Sequence, residues 1–262
     1  MQKKTKLKAV TSKSFFRDNI PHIIAHRGRG GRISANKEEN TLNCFLETYA
    51  NGIEHLETDA VLTKDNEVVL FHGSNNFLEA IRTGMPSRRY IETRTYNQLK
   101  EAEDARISNI PLLRDVLLSL PSARFSIDAK TNRVVPLLVE QVIQCGAEDR
   151  VCLGSFSFGR VKKLKEYSKG IMASAYCIHP RMKIFILLLN KYFFWGVQKS
   201  HIECVHLPQT LASKRIIKGA HRQGLAVYIW TVNDQNRAKK YFGIGANGVI
   251  TDKAVQLHRE LM

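Results

Sequence analysis

Eight short apolar runs recur along this chain, each followed by an amphipathic stretch, and this alternation restricts the fold more than any other feature. The runs are HIIAHRG (22–28), IEHLETD (53–59), RFSIDAK (124–130), RVCLGSF (150–156), IMASAY (171–176), CVHLP (204–208), AVYIWTV (226–232) and GVITD (248–252). Each has the length and composition of a buried strand. Between them, Leu42, Phe45, Leu46 and Tyr49 follow helical spacing before a stop at Gly52. Leu113, Val116, Leu117 and Leu120 repeat the pattern ahead of Pro121, and residues 136–143 form a third apolar stretch that ends at Gly146. Strand alternating with helix predicts an α/β protein with a parallel sheet, and eight units predict its closed form, a (β/α)8 TIM barrel. The length of 262 residues suits one such barrel, so a single domain over 1–262 is expected.

One run breaks the alternation. EVVLFHG (67–73) follows LETDAVLT with only the turn-like Lys64-Asp65-Asn66 between them. Parallel neighbours need a crossover of about a dozen residues, so these segments are expected to form an antiparallel hairpin. The hairpin returns His72 to the side of Glu57 and Asp59. Residues from about 75 to 109 then read as an insertion between the second strand and its helix.

Glu57 and Asp59 are two apart on a strand, so both point to one face, at the end where barrels of this kind carry their active sites. Asp128 and Lys130 repeat the geometry on the next barrel strand. Either pair alone fits an ordinary solvated mouth or a simple ion pair; two on adjacent strands point to a charged site. His26, Arg27 and Gly28 close the first strand, where the arginine offers a planar fork for phosphate oxygens. The loop RGRGGRIS (27–34) is no nucleotide fingerprint, because Ile33 stands where GxGxxG requires its last glycine. The other histidines follow no ligand spacing, and Ser155 and Ser157 have no partnered base.

These residues, taken in order, resemble the glycerophosphodiester phosphodiesterase family: HRG (26–28), ENT (39–41), ExD (57–59), TKDN with VVLFH (68–72), IDAK (127–130), SF (155–156), WTVN (230–233) and GVITD (248–252). The resemblance covers roughly residues 22 to 258. It implies a barrel with an insertion after the second strand, in agreement with the hairpin. It also implies Glu57, Asp59 and Asp128 as ligands of a divalent cation, His26 and His72 as the acid–base pair, and Arg27 and Lys130 on the phosphate. Trp230 would line the pocket, and Glu39 would support the catalytic groups of the first strand. The chain departs from the family pattern at Asp128, where a glutamate is usual, at Gly73, where an aspartate usually follows the histidine, and at Glu38, which replaces a proline.

The implied reaction is hydrolysis of glycerophosphodiesters to glycerol 3-phosphate and an alcohol. An all-oxygen carboxylate set suits Mg²⁺ or Ca²⁺. Forty basic against twenty-four acidic residues give a net charge of +16, which favours anionic partners. No nucleic-acid motif is present, so the expected partner is a small glycerophosphodiester or a lysophospholipid. The five scattered cysteines form no CxxC pair, which fits a reducing, cytoplasmic location. The basic amino terminus lacks the apolar stretch of a secretion signal. The most apolar window, residues 182–195, is shorter than the ~20 residues of a bilayer span. It reads as a barrel-covering helix, with peripheral membrane contact as the second reading. Two alternatives accompany the hydrolase: lysophospholipase D-like action on membrane lysophospholipids, and a catalytically weak phosphodiester-binding protein.

Overall fold

In the computed structural model, which describes residues 21–30, 39–74, 84–168, 170–176 and 192–262, the eight apolar runs are eight parallel strands. In chain order the strands are β1 (His22–Ala25), β2 (His55–Leu62), β3 (Val68–Leu70), β4 (Arg124–Ala129), β5 (Val151–Ser155), β6 (Met172–Tyr176), β7 (Cys204–Pro208), β8 (Ala226–Trp230) and β9 (Gly248–Thr251). All but β3 pair in parallel with both neighbours, and Ile23 opposite Val249 with Ile24 opposite His55 closes the ring. This is the expected (β/α)8 barrel.

Strand alternation sorts the side chains into two sets. Ala25, Leu56, Phe125, Ile127, Leu153, Ala173, Val205, Val227 and Val249 point outward and pack beneath the helices. Ile24, Cys152, Met172, Cys204, Tyr228 and Ile250 point into the barrel. The same inward parity carries Glu57, Asp59, Asp128, Tyr176 and His206, so the charged residues belong to the interior rather than to the apolar layer of Phe125 and Ile127. Cys152 and Cys204 lie with their Sγ atoms 3.5 Å apart in that interior.

The exception in the pattern is an antiparallel hairpin. Ala60 pairs with Leu70 and Leu62 with Val68, and Phe71 N–H donates to Asp59 O at 2.8 Å, so His72 returns toward the β2 carboxylates. Because β2 continues upward into this hairpin, Glu57 and Asp59 stand in mid-strand rather than at its end.

Helix α1 (Leu42–Ala50) begins where the Thr41 hydroxyl accepts from Cys44 N–H, and it buries Phe45 against the barrel. The insertion carries three short helices, α2 (Arg88–Glu92), α3 (Tyr96–Lys100) and α4 (Ala105–Ser108). Ile91, Leu99 and Ile107 from these helices cover Val61, Val69 and Phe71 of the hairpin. Residues 75–83 of the insertion lie outside the described residues, as do 182–191 of the apolar window. Residues 192–199 are helical. No helix among the described residues is long and apolar enough to cross a membrane.

His206, on β7, is fully buried, with Tyr176 and Tyr228 at ring-centroid distances of 4.2 and 5.4 Å. Burial pushes its pKa down to about 3. The folded protein therefore binds this proton less readily than the unfolded chain. Its contribution to stability is complete above the unfolded value near 6.5 and falls as pH drops toward 3. At pH 5 this residue alone is expected to cost about 2 kcal/mol relative to pH 7.5. Urea unfolding across this range should show the decline, and His206→Leu should flatten it.

Candidate active site

The end of β1 brings the first functional pair into place through an unusual backbone. Arg27 adopts φ 53°, a left-handed conformation that a non-glycine residue takes at some cost. Gly28 follows at φ +76°, where a Cβ would lie 2.6 Å from the Phe45 ring. This sharp corner turns the Arg27 N–H onto Glu57 Oε2 at 2.9 Å. It also turns the guanidinium toward Glu39 Oε1, 2.9 Å away, and toward Asp59 Oδ2 at 3.6 Å. Glu39 accepts a second ion pair from Arg29 and so ties the two arginines together. Residues 31–38, which include the second half of the glycine-rich loop, lie outside the described residues.

Lys130 occupies the centre of the acidic group. Its Nζ lies 2.6 Å from Asp59 Oδ1 and 2.6 Å from Asp128 Oδ2. Strand register explains the bridge, because Asp59 stands directly opposite Asp128 across the β2–β4 pair. Asn40 donates to Asp59 Oδ2 at 3.3 Å and accepts from the Thr58 hydroxyl at 2.7 Å. Burial works to raise the Asp59 pKa, but Lys130, His72 and Arg27 hold it below the usual carboxylate range. Lys130 is also buried, yet the two aspartates keep its pKa raised and its ammonium charged. Burial raises Asp128 despite Lys130.

Glu57 differs from its neighbours. Burial and the nearby Asp59 push its pKa up to about 8, so it keeps a proton at neutral pH in this arrangement. Asp128 Oδ1 is buried with no hydrogen-bond partner among the described residues. In the contacting cluster, Glu39, Glu57, Asp59, Asp128 and Asp252 face the permanent cations Arg27, Arg29 and Lys130. With Glu57 protonated, the four remaining carboxylates exceed the three cations by one negative charge. No three His, Cys, Asp or Glu side chains among the described residues converge closely enough to hold an ion. Lys130 stands between two of the three carboxylates.

The two histidines sit in different settings. His26 Nδ1 is 2.7 Å from Asp252 Oδ1, and its pKa is lowered by burial against the opposing effect of that hydrogen bond. His72 makes no ring hydrogen bond among the described residues. Burial first, with Arg27, Lys130 and His26 adding to it, pushes its pKa down to about 3 against the pull of Asp59. The residue after it, Gly73, takes φ +58°, and a Cβ there would lie 2.6 Å from the Phe71 ring and 2.8 Å from Arg88 Cγ. The backbone corner and its packing thus exclude a side chain where the family usually has aspartate.

An aromatic wall faces this cluster. Trp230 meets Phe156 edge-on at 5.8 Å, Phe156 lies 4.6 Å from Tyr176, and Lys130 Nζ is 5.6 Å from the Phe156 centroid. Trp230 Nε1 is a buried donor with no acceptor among the described residues. On the other side, a cavity lined by Glu39, Thr41, His72 and Ile110 adjoins one of about 270 Å³ lined by Thr41, Lys100, Asn109 and Ile110. The structure therefore gathers His26, Arg27, Glu39, Glu57, Asp59, His72, Asp128, Lys130 and Trp230 at one mouth.

Sequence reasoning gave no role to Asp252, Arg29, Asn40 or Phe156. Asp252 and Phe156 ended motifs already in view, GVITD and SF, at the strand ends where a barrel places its chemistry. Asn40 lay inside the ENT motif, but its contacts, like those of Arg29, span loops and were not readable from spacing.

Lys130→Met leaves two buried aspartates without their cation. It is expected to lower unfolding free energy by about 3–5 kcal/mol in the presence of a chelator. Added Mg²⁺ or Ca²⁺ should restore part of that loss in denaturant melts, because a cation would neutralise the same oxygens.

A family model described as the glycerophosphoryl diester phosphodiesterase family matches residues 26–256. The chain is 27% identical over 247 residues to a probable glycerophosphodiester phosphodiesterase 2 of Mycobacterium tuberculosis, covering 92% of this chain and 90% of that one. It is 23% identical to a lysophospholipase D of Homo sapiens, over 89% and 84% of the two chains. Its fold is similar to that of an Oleispira antarctica phosphodiesterase solved in complex with the product sn-glycerol-3-phosphate. There the TM-score is 0.72 and the identity 19%, with 92% of this chain and 96% of that one covered.

Proposed function

We propose, because this chain belongs to the glycerophosphoryl diester phosphodiesterase family, that it hydrolyses glycerophosphodiesters to glycerol 3-phosphate and an alcohol at the barrel mouth. The observation that carries this reading is the convergence of two histidines, a phosphate-competent arginine and lysine, and three buried carboxylates around one opening.

By its chemistry the carboxylate set suits a divalent cation, although in this arrangement Lys130 stands between Asp59 and Asp128. It consists of oxygen donors alone, includes Asp128 Oδ1, which has no hydrogen-bond partner among the described residues, and leaves one charge unmatched while Glu57 keeps its proton. Glu57, Asp59 and Asp128 would hold Mg²⁺ or Ca²⁺, which when bound supplies Lewis-acid polarisation of a phosphoryl oxygen. Arg27, fixed by Glu39, offers its guanidinium to the phosphate, and Lys130 adds a second positive charge from below. Both neutralise charge that grows on the equatorial oxygens during in-line displacement. His26 and His72 divide the proton transfers, one taking a proton from the nucleophile and the other giving one to the departing alcohol. Trp230 closes the wall, and its Nε1–H has no acceptor among the described residues.

The decisive assay is hydrolysis of glycerophosphocholine with Mg²⁺, Ca²⁺ or chelator. His26→Ala and His72→Ala should each lower the rate by about 10²–10⁴-fold. Near-wild-type rates for both would refute the acid–base assignment. Diester binding without metal-dependent turnover would point instead to a binding protein on a degenerate site.

A second reading, action on lysophospholipids at a membrane surface, is favoured by the helix at 192–199. Tyr192 and Trp195 are 64% and 53% exposed there, and Lys199 Nζ lies 5.4 Å from the Trp195 ring. Aromatic and basic side chains in that combination suit an anionic interface. On this reading, flotation with anionic liposomes should carry the wild-type chain, and replacing Tyr192 and Trp195 by serine should reduce it severalfold. Equal flotation of both would leave the soluble diester as the substrate.

A further inference from the structure

The last barrel strand contributes a carboxylate to the site. Asp252 follows β9 and accepts from His26 Nδ1 at 2.7 Å and from Arg29 Nη1 at 3.0 Å through one oxygen. Its other oxygen accepts from Asn233 Nδ2 at 2.7 Å. Asn233 is itself held, because its Oδ1 accepts from the Thr251 hydroxyl at 3.0 Å and from Asp252 N–H at 2.8 Å. Each part of the Asp252 side chain is thereby fixed from a different direction. The ends of β8 and β9 clamp the carboxylate, and the carboxylate clamps the imidazole.

We infer that Asp252, locked by Asn233, is a positioning residue that holds His26 in the Nδ1–H tautomer and aims Nε2 at the reacting phosphate. A carboxylate can only accept from a neutral imidazole at the nitrogen carrying the hydrogen, so the contact selects the tautomer as well as the ring orientation. Nε2 is then the atom through which His26 exchanges a proton with substrate. When the ring gains that proton, Asp252 stabilises the imidazolium through a charge-assisted hydrogen bond. The other charged or titratable groups around His26 are Arg27, Arg29, Asp59 and His72. Arg29 shares Asp252 and Glu39, so it joins this dyad to the Arg27 anchor.

This inference rests on the proposed diesterase reading, and its test separates the two. Full-length Asp252→Asn keeps the size of the side chain and removes its charge. With glycerophosphocholine and a divalent cation, kcat should fall on the order of 10²-fold while KM changes by less than about threefold. The limb of the pH–rate profile that belongs to His26 should move to lower pH, since the imidazolium loses its counter-charge. Asp252→Glu should recover part of the rate, and Asn233→Ala should shift the same limb in the same direction by less.

A uniform loss across pH, or an unchanged kcat, in an active background overturns the role of Asp252 and leaves the diesterase reading intact. Wild-type inactivity on every diester overturns the diesterase reading. Imidazole ¹⁵N spectra of the wild-type chain then decide whether Asp252 sets the tautomer: an Nδ1-protonated His26 that changes in Asp252→Asn supports it, and an Nε2-protonated ring refutes it. Should Asp252→Asn fail to fold, Asn233→Ala and the same spectra carry the test.

Discussion

Lys130, placed between Asp59 and Asp128, is the contact on which the barrel mouth depends. Parallel register sets the two aspartates side by side, and both are buried. Without a cation their mutual repulsion and their desolvation would drive protons onto them. The ammonium at 2.6 Å from each keeps Asp59 ionised, and Asp59 in turn accepts from Asn40 and attracts Arg27. Remove the bridge, and the corner at Arg27 and Gly28 loses one of its partners. Glu57, lacking such a partner, is the carboxylate that retains a proton.

The same centre explains the unequal treatment of the two histidines. Burial disfavours imidazolium at both, Arg27 adds to it at each, and Lys130 adds to it at His72. His26 gains a carboxylate from the other end of the chain, reached because ring closure brings β9 beside β1. His72 arrives on a hairpin whose corner is filled by Phe71 and Arg88, leaving no space for an acidic side chain at 73. Its nearest counter-charge is Asp59, already engaged by Lys130. Closure of the sheet therefore gives one histidine a second partner that the hairpin cannot give the other.

Much of this architecture was legible because strands and helices impose different periods on apolar residues. The eight runs, the hairpin at 64–66 and the shared face of Glu57 and Asp59 all follow from local spacing. Local spacing was insufficient at Asp128: its sequence neighbours Phe125 and Ile127 face the helices, whereas Asp128 faces Asp59 and Lys130. The ion pair that Asp128 and Lys130 would form taken alone is incomplete, since the third member, Asp59, lies on another strand. The absent aspartate at 73 was visible in sequence, whereas the blocking contacts of Phe71 and Arg88 were not.

The sequence by itself determined a closed parallel barrel, the order of its strands and the residue types that reach one mouth. These depend on side-chain direction along each strand, which repeats every two residues whatever the partner. The tertiary structure alone decided which charges meet: Lys130 with both aspartates, Arg29 with Glu39 and Asp252, and Asp252 with His26. Such pairings join residues as far apart as 26 and 252, and the chain reveals them only once the ring has closed. Coulomb energy and desolvation act through space rather than along sequence, so the protonation of Glu57 and the anchoring of His26 belong to the folded barrel.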